Sequence, residues 1–371
     1  MSRIGRRTGI PALDLTLASA RQAIEDAGLR PADIDAVTSV GDTPAGEAAE
    51  ALGIGEAWPG AMMDTFGLLS PVVAAVAAVA TGRARHVLVY RTVQMVGGTI
   101  LPAAQDARPG SDARPALGMP DWIGSLLTMH AYSAANWVAL HCRRHMYLYG
   151  TTREQLGWLA VSSRRYAGLN PDAVYRDPMS LDDYLAARPI SDPLVLFDCD
   201  VPVDGSQAVI ISAADRAGDG PHPPVRFEAV GGSPGEGGWD QRPDYPKMAS
   251  ADAAAQMWSR TDLTPRDVDV AELYDGFTFL TFVWLEALGL CGDGEAGPFV
   301  EGGKRIALGG DLPLNTYGGQ LSAGRMHGYW VLHEAITQLR GAAGARQVPG
   351  AEVAVVAAGG GPIAGCMLLT S

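Results

Sequence analysis

No stretch of the chain reaches the run of about 18 to 20 apolar residues that a membrane span needs; the longest, Val72 to Ala80, is short and alanine-rich. The basic opening MSRIGRRTG leads into no apolar signal segment, so export is not indicated and a cytoplasmic address without a membrane partner is expected. Cysteine is scarce. Cys142, Cys199, Cys291 and Cys366 lie far apart and none forms a C-x-x-C, which fits four reduced thiols better than a disulfide frame or a zinc knuckle. Positive charge is also in deficit: 28 basic against 41 acidic residues leave a net charge of −13, which speaks against nucleic acid as a partner. A local basic pocket for a phosphorylated ligand remains open. With 47% hydrophobic and 19% charged residues, disorder of the whole chain is excluded.

What is abundant is glycine, 46 residues, alongside much alanine. Glycine at that density points to backbones approaching closely or to loops needing positive φ near a ligand. At about 150 residues per domain, 371 residues suggest two to three domains or one duplicated core. Leu13 to Gly28 has helical spacing and a glycine stop, Leu69 to Gly82 reads as a buried alanine-lined helix, and His86 to Tyr90 as a short apolar strand. This is α/β punctuation. From about residue 97 to 184 the pattern changes to turns and amphipathic helices, Ala131 to Tyr147 and Thr152 to Ala167, as a helical insertion would. Val201 to Ser212 is a turn plus a strand, with Asp204, Gly205 and Ser206 in the turn, and Gly218 to Pro224 is the best linker.

After the linker a repeat of the first half is expected. DAGLRPADIDAV (Asp26 to Val37) and DLTPRDVDV (Asp262 to Val270) share a Pro-x-Asp-hydrophobic-Asp core between an alanine-rich helix and a strand. The second half continues with a helix (Gly276 to Leu288), a glycine loop (Tyr317 to Gly328), a helix (Tyr329 to Arg340) and two strands (Glu352 to Ala358, Gly365 to Thr370). The expected halves are residues 1–217, insertion included, and 225–371.

Three motifs, AELYDGFT (Ala271 to Thr278), NTYGGQLSAGRMHG (Asn315 to Gly328) and AAGGGPIAGCMLL (Ala357 to Leu369), resemble the thiolase superfamily. More narrowly, with DAGLRPADID, HMYLYGTTREQLGWLAVSSRRYAGLNPDA and DCDVPVDGSQAV, the chain resembles the sterol-carrier-protein-type lipid-transfer thiolases. The resemblance spans nearly the whole chain. It implies an α/β thiolase fold, a duplicated five-layer αβαβα core with a helical loop-domain insertion, and association as a homodimer or larger. Relatives usually carry a strand before the region of Ile10, where only nine residues stand here, so that strand is either short or trimmed.

The departures say more. Thiolases acylate a cysteine at the start of the buried helix; that turn here reads DTFGLLSP (Asp64 to Pro71). A second, proton-moving cysteine precedes the C-terminal glycine loop, where Ala357 and Ala358 stand. The histidine of the glycine-histidine-proline motif aligns with Arg325, and the asparagine of the Asn-Glu-Ala-Phe motif with Tyr274, its acid with Asp275. Without a thiolate, ping-pong acyl transfer has no carrier. Retro-aldol cleavage uses the same enolate and needs only a base for a β-hydroxyl, an acid for the enolate carbon and donors at the thioester oxygen.

The resemblance to the cysteine-free branch, through QLSAGRMHG and the Tyr274-Asp275 pair, implies an aldolase. It would cut a β-hydroxyacyl-CoA, a 17-hydroxy steroid side-chain thioester, to a 17-keto steroid and propionyl-CoA. The catalytic candidates are Tyr274, Tyr317 and Tyr329, with Asp275, Arg325 and His327 behind them. One tyrosine would deprotonate the hydroxyl and another protonate the enolate; with a reference pKa near about 10, a tyrosine base needs a neighbour such as Arg325 or His327. Tyr317, before two glycines, should point into the cleft, Tyr329 either into the cleft or inward, and Arg325 is open between neutralising Asp275 and binding phosphate. Asn315, Gly318, Gly319, Gly359, Gly360 and Gly361 are the substrate-binding candidates, the glycines because their amides can approach the thioester, or else simply as tight turns.

His141 and His145 are spaced as a helical metal pair, but no third ligand supports one and flanking Arg143 and Arg144 would repel a cation. A solvated face fits better, and the arginines could meet CoA phosphates. No metal and no cofactor is expected in this chain; the CoA thioester is substrate. The resemblance implies a partner with an OB fold and zinc ribbon, to which any zinc would belong. Two rivals stand: an acetyl-CoA acetyltransferase or thiolase-type acyl transferase with another nucleophile, and a non-catalytic lipid-binding subunit.

Overall fold

The computed structural model describes residues 1–60, 66–96, 126–233, 238–239 and 241–371. Residues 97–125 of the expected insertion, and Asp64 and Thr65 of the cysteine-free turn, lie outside that set. The strands are β1 (Ala36–Ser39), β2 (Ala57–Trp58), β3 (His86–Gln94), β4 (Pro189–Ser191), β5 (Leu194–Val195), β6 (Asp204–Ser212), β7 (Arg226–Ser233), β8 (Val270–Leu273), β9 (Val353–Gly360) and β10 (Ile363–Thr370). The helices are α1 (Ala12–Asp26), α2 (Ala45–Leu52), α3 (Ser70–Ala80), α4 (Ala134–Tyr149), α5 (Arg153–Leu169), α6 (Leu181–Leu185), α7 (Ala249–Trp258), α8 (Thr278–Ala287), α9 (Ala296–Val300) and α10 (Tyr329–Leu339). No helix among the described residues is long and apolar enough to cross a membrane.

Two four-stranded sheets, ordered β2-β1-β3-β6 and β7-β10-β9-β8, form the frame. Helix α1 covers β3 and β6 on one side, α7 covers β7 and β10 on the other, and α3 and α10 lie between the sheets. The layers therefore run α, β, α, β, α. In the first sheet β1 is parallel to β3 and β3 antiparallel to β6; in the second β8 is parallel to β9 and β9 antiparallel to β10. Each half follows the same course: outer helix, Pro-x-Asp turn, strand, buried helix, parallel strand, antiparallel strand.

The repeated aspartates explain why that turn recurs. Asp33 and Asp267 close their 3-10 turns by accepting the amides of Arg30 (2.8 Å) and Thr264 (2.7 Å). Asp35 then accepts the amides of Arg85 (2.6 Å) and His86 (3.0 Å) at the start of β3. Asp269 does the same for Glu352 (2.8 Å) and Val353 (2.9 Å) at the start of β9. The entry of a parallel strand leaves amides that need acceptors, and one carboxylate supplies two.

Residues 2–5 take the place beside β6 that β7 takes beside β10: the Ser2 amide donates to Ser206 O (2.8 Å) and Gly5 bridges Asp204. The first-half edge is thus a short bridged segment. Strand β7 itself escapes the sequence reading because RFEAVGGS lacks clean alternation. Its glycine is there for packing, since a Cβ at Gly231 would stand 2.0 Å from Ala253 O of α7.

Two expectations are corrected. Asp204, Gly205 and Ser206 are the first residues of β6, not a turn; Asp204 is buried and accepts the amides of Thr8 (3.0 Å) and Val96 (2.9 Å). His141 and His145 are buried in α4, not solvated. His145 bonds Thr151 Oγ1 (2.8 Å) and Glu286 Oε1 (3.0 Å), and His141 lies against the Tyr245 ring, centroids 4.4 Å apart. Arg143 pairs with Asp192 and Arg144 sits over the Tyr147 ring.

Candidate active site

Where β8 ends, the chain places Tyr274 and Asp275 opposite the glycine loop that leads into α10. That loop holds one π-helical turn, Gly319–Ala323, whose amides turn toward β8. Asp275 Oδ1 accepts the Gln320 amide (2.8 Å) and Oδ2 the Leu321 amide (3.4 Å). Burial pushes the carboxyl up to about 6 although these amides favour the charged form. Gly319 has φ +62°, and a Cβ there would stand 2.0 Å from Asp275 Oδ2, so the turn and the carboxyl require each other.

Arg325 does not neutralise Asp275. Its Nη1 lies 3.1 Å from Oδ1 of Asp200, its Nε donates toward Met95 Sδ, and its amide donates to Val201 O (2.8 Å). Asp200 is carried in by the segment before β6, held by Asp200 N to Gly276 O (3.2 Å) and Val201 N to Gln320 O (2.9 Å). Burial pushes Asp200 up to about 7, with Arg325 pulling down and Asp275 pushing up. The sequence reading passed Asp200 over. The signal available was a pair of carboxylates, Asp198 and Asp200, flanking a cysteine just ahead of an apolar strand.

His327 has φ +48°, and its amide donates to Gln320 Oε1 (3.1 Å). Its Nδ1 is 2.5 Å from Nη2 of Arg91. Arg91 is buried near the end of β3 and its Nη1 also donates to Val40 O (2.6 Å). Burial, then Arg91 and Arg325, push the imidazole well below its ordinary range, so it is neutral. Arg91 was not anticipated either, although a charge inside HVLVYRTV is an anomaly that a strand buried on both faces needs a reason to carry.

The three tyrosines separate. Tyr274 is part-exposed, its ring resting on Gly276, where a Cβ would stand 2.6 Å from the ring edge. Tyr329 is buried at the first turn of α10, its hydroxyl without a partner among the described residues. Tyr317 does not point into an open cleft: it is fully buried, stacked on Trp330 at 5.2 Å, and among the described residues its hydroxyl too has no partner. Burial raises all three phenols. Asp200 and Asp275 raise Tyr274 further while Arg325 and Arg91 oppose them, and Arg91 alone opposes the rise at Tyr329. All three are O–H donors at neutral pH. Of the two neighbours expected to assist a tyrosine base, Arg325 is committed to Asp200, and His327 is neutral and bonded to Arg91.

The remaining candidates have structural work. Asn315, φ +52°, accepts the Leu273 amide on Oδ1 (2.7 Å) and so fixes the end of β8, while its Nδ2 is buried without a partner. A Cβ at Gly318 would meet Ala167 of α5 at 2.7 Å. Gly359 and Gly360 pair with Ala364 and Ile363 in the β9–β10 hairpin, and a Cβ at Gly361 would strike Trp239 at 2.5 Å.

Residues 67–69 of the cysteine-free turn lie against β9 and β10; a Cβ at Gly67 would lie 3.0 Å from Ile363. None of the four thiols is activated. Burial and neighbouring carboxylates push Cys199 and Cys291 up to about 12, and burial raises Cys142 and Cys366. Among the described residues no three histidine, cysteine or acidic side chains gather as metal ligands.

Residues 236–369 match the family described as "Thiolase C-terminal domain-like". A "Steroid side-chain-cleaving aldolase" of Thermomonospora curvata is 34% identical over 99% of this chain and 95% of its own. A "17-hydroxy-3-oxo-4-pregnene-20-carboxyl-CoA lyase" of Mycobacterium tuberculosis is 36% identical over 98% of this chain and 95% of its own. Among solved structures, one named "Ltp2-ChsH2(DUF35) aldolase" superposes with a TM-score of 0.89 at 31% identity, covering 100% of this chain and 95% of that one.

Proposed function

The chain belongs to the thiolase superfamily, in the branch that holds the steroid side-chain-cleaving aldolases, and on that footing we propose how it works as a carbon-carbon lyase. It cleaves a β-hydroxyacyl-CoA, a 17-hydroxy steroid side-chain thioester, into a 17-keto steroid and propionyl-CoA. One observation carries the reading: a chain of this family has no activated thiol, yet brings Tyr274, Tyr329, Asp275, Asp200, Arg325 and His327 together with Arg91.

The residues suggest a division of labour. A base must take the hydroxyl proton as the ketone forms and the carbon-carbon electron pair moves into the thioester as an enolate. Asp200, at about 7, is partly ionised at neutral pH and is the better base. The phenols, held protonated, suit the opposite task, giving a proton to the enolate carbon, and Tyr274 or Tyr329 supplies it. The carboxyl then returns its proton to the phenolate, which balances the cycle. Asp275 holds the π-turn against β8 and Arg325 holds Asp200.

The acyl-CoA is substrate, and no cofactor is assigned to this chain. A DUF35 chain, which the name of the similar solved structure couples to its aldolase, fits the expected OB-fold and zinc-ribbon partner. A homodimer and a cytoplasmic setting belong to the same proposal.

The test is direct. With a 17-hydroxy steroid side-chain CoA thioester, with and without such a partner, ketone and propionyl-CoA should form in equal amounts. Whichever of Tyr274→Phe and Tyr329→Phe removes the proton donor should lower turnover by about 10²-fold or more, with unchanged circular dichroism, and near-parental turnover in both would overturn the phenol's role. A thioester between protein and substrate fragment, caught during turnover, would overturn the mechanism.

A further inference from the structure

Arg91 is a costly residue to place near the end of an apolar strand. It is buried, among the described residues its Nε has no partner, and its two terminal nitrogens go to Val40 O (2.6 Å) and His327 Nδ1 (2.5 Å). A guanidinium has donors only and does not lose its proton in proteins. The nitrogen it meets must therefore offer a lone pair, which puts the single ring proton of His327 on Nε2. The backbone leaves the ring little freedom: φ is +48° and the amide is tied to Gln320. Among the described residues Nε2 makes no hydrogen bond, and the residue is part-exposed.

We propose that Arg91 is a positioning residue that holds His327 as a neutral Nε2–H donor to the thioester oxygen, where charge collects as the carbon-carbon bond breaks. The proton stays on nitrogen throughout; the enolate carbon receives its proton from a phenol. The charged groups acting on the ring are Arg91 from β3 and Arg325 from the loop, both cationic, so the ring resists protonation from both sides. Arg91 is in turn acted on by the Tyr329 and Tyr274 phenols and by the Asp42 carboxylate. A fixed donor of this kind stabilises an oxyanion without reorganising when the charge arrives. The inference rests on the aldolase reading for its substrate, but the state of the ring does not.

The experiment has two arms. Full-length protein labelled with ¹⁵N-histidine, the His327 signal assigned by its loss in His327→Gln, should show unprotonated Nδ1 and protonated Nε2 across about pH 5 to 8, where a free histidine titrates. Arg91→Lys should keep this pattern in part and Arg91→Met should abolish it. In turnover, glutamine can replace a donor but not a proton carrier. His327→Gln should stay within about tenfold of the parent, whereas His327→Ala should lose about 10²- to 10³-fold. A protonated Nδ1 in the parent overturns the proposal, and so does a folded His327→Gln as inactive as His327→Ala. If the parent shows the expected tautomer but does not split the thioester, the aldolase reading fails and the donor has been assigned to the wrong oxygen.

Discussion

Replacing Asp200 by asparagine tests both the electrostatics of the cleft and its chemistry. The side chain is 8% exposed and its carboxyl climbs from 3.8 to about 7, mainly through burial. At about 1.4 kcal/mol for each tenfold change in proton affinity, that climb corresponds to about 4 kcal/mol. The sign follows from proton counting. Below about pH 4 the carboxyl is protonated in folded and unfolded chains alike and pH costs nothing. Between the two values the unfolded chain releases a proton that the folded chain keeps, so stability falls as pH rises, and above about pH 7 the whole cost is present. That climb is already net of the opposing pull of Arg325, and at about pH 4.5 the unfolded carboxyl is largely ionised, so the difference expected between the two pH values below is about 2 to 4 kcal/mol. Denaturant midpoints of both proteins at about pH 4.5 and about pH 8 should show the parent losing that much more than Asp200→Asn. The variant should also lose about 10²-fold or more in turnover, together with the limb of the pH-rate profile near about pH 7. Parallel stability curves for parent and variant would refute the reasoning, since an asparagine cannot titrate.

Three further outcomes follow from the same geometry. Gly319→Ala sets a Cβ on Asp275 Oδ2 and strains a positive φ; we expect about 2 to 3 kcal/mol of destabilisation by chemical denaturation, and a neutral result would contradict the placement of that carboxyl. Tyr317→Phe deletes a buried hydroxyl with no partner, so the melting midpoint should rise, by about 1 kcal/mol in stability; a fall would reveal a partner for the oxygen. Incubation of the folded protein with iodoacetamide at about pH 8 should leave Cys142 and Cys366 unmodified by mass spectrometry. Rapid labelling of either would show that burial does not hold these thiols protonated.

Much of this was visible in one dimension because it depends on local rules. The helices over residues 12–26, 70–80 and 329–339 follow apolar spacing and their stops, and the shared Pro-x-Asp-hydrophobic-Asp core marks the same turn in each half, where its second aspartate caps a strand. Strand β3 runs four residues beyond the apolar HVLVY, since Arg91 to Gln94 pair with β6, and no local pattern announces a partner over 100 residues away. The motif residues Tyr274, Asp275, Arg325, His327 and Tyr329 do converge. Tyr317 fails as a cleft residue because two following glycines describe backbone freedom, not the side on which a ring packs.

The sequence alone determined that no cysteine stands at the two positions where the family carries its nucleophile and its proton carrier, because a residue must be present before it can be activated; that none of the four remaining thiols replaces them was decided by their burial. The sequence also determined the duplicated course of the chain, because capping and periodicity act over a few residues. Which acid meets which base was decided only by tertiary structure. Arg325 pairs with Asp200 across 125 positions, and Arg91 reaches His327 across 236. Burial, which moves Asp200, Arg91 and His327 away from their ordinary pKa ranges, is a property of what surrounds a side chain and not of its place in the chain.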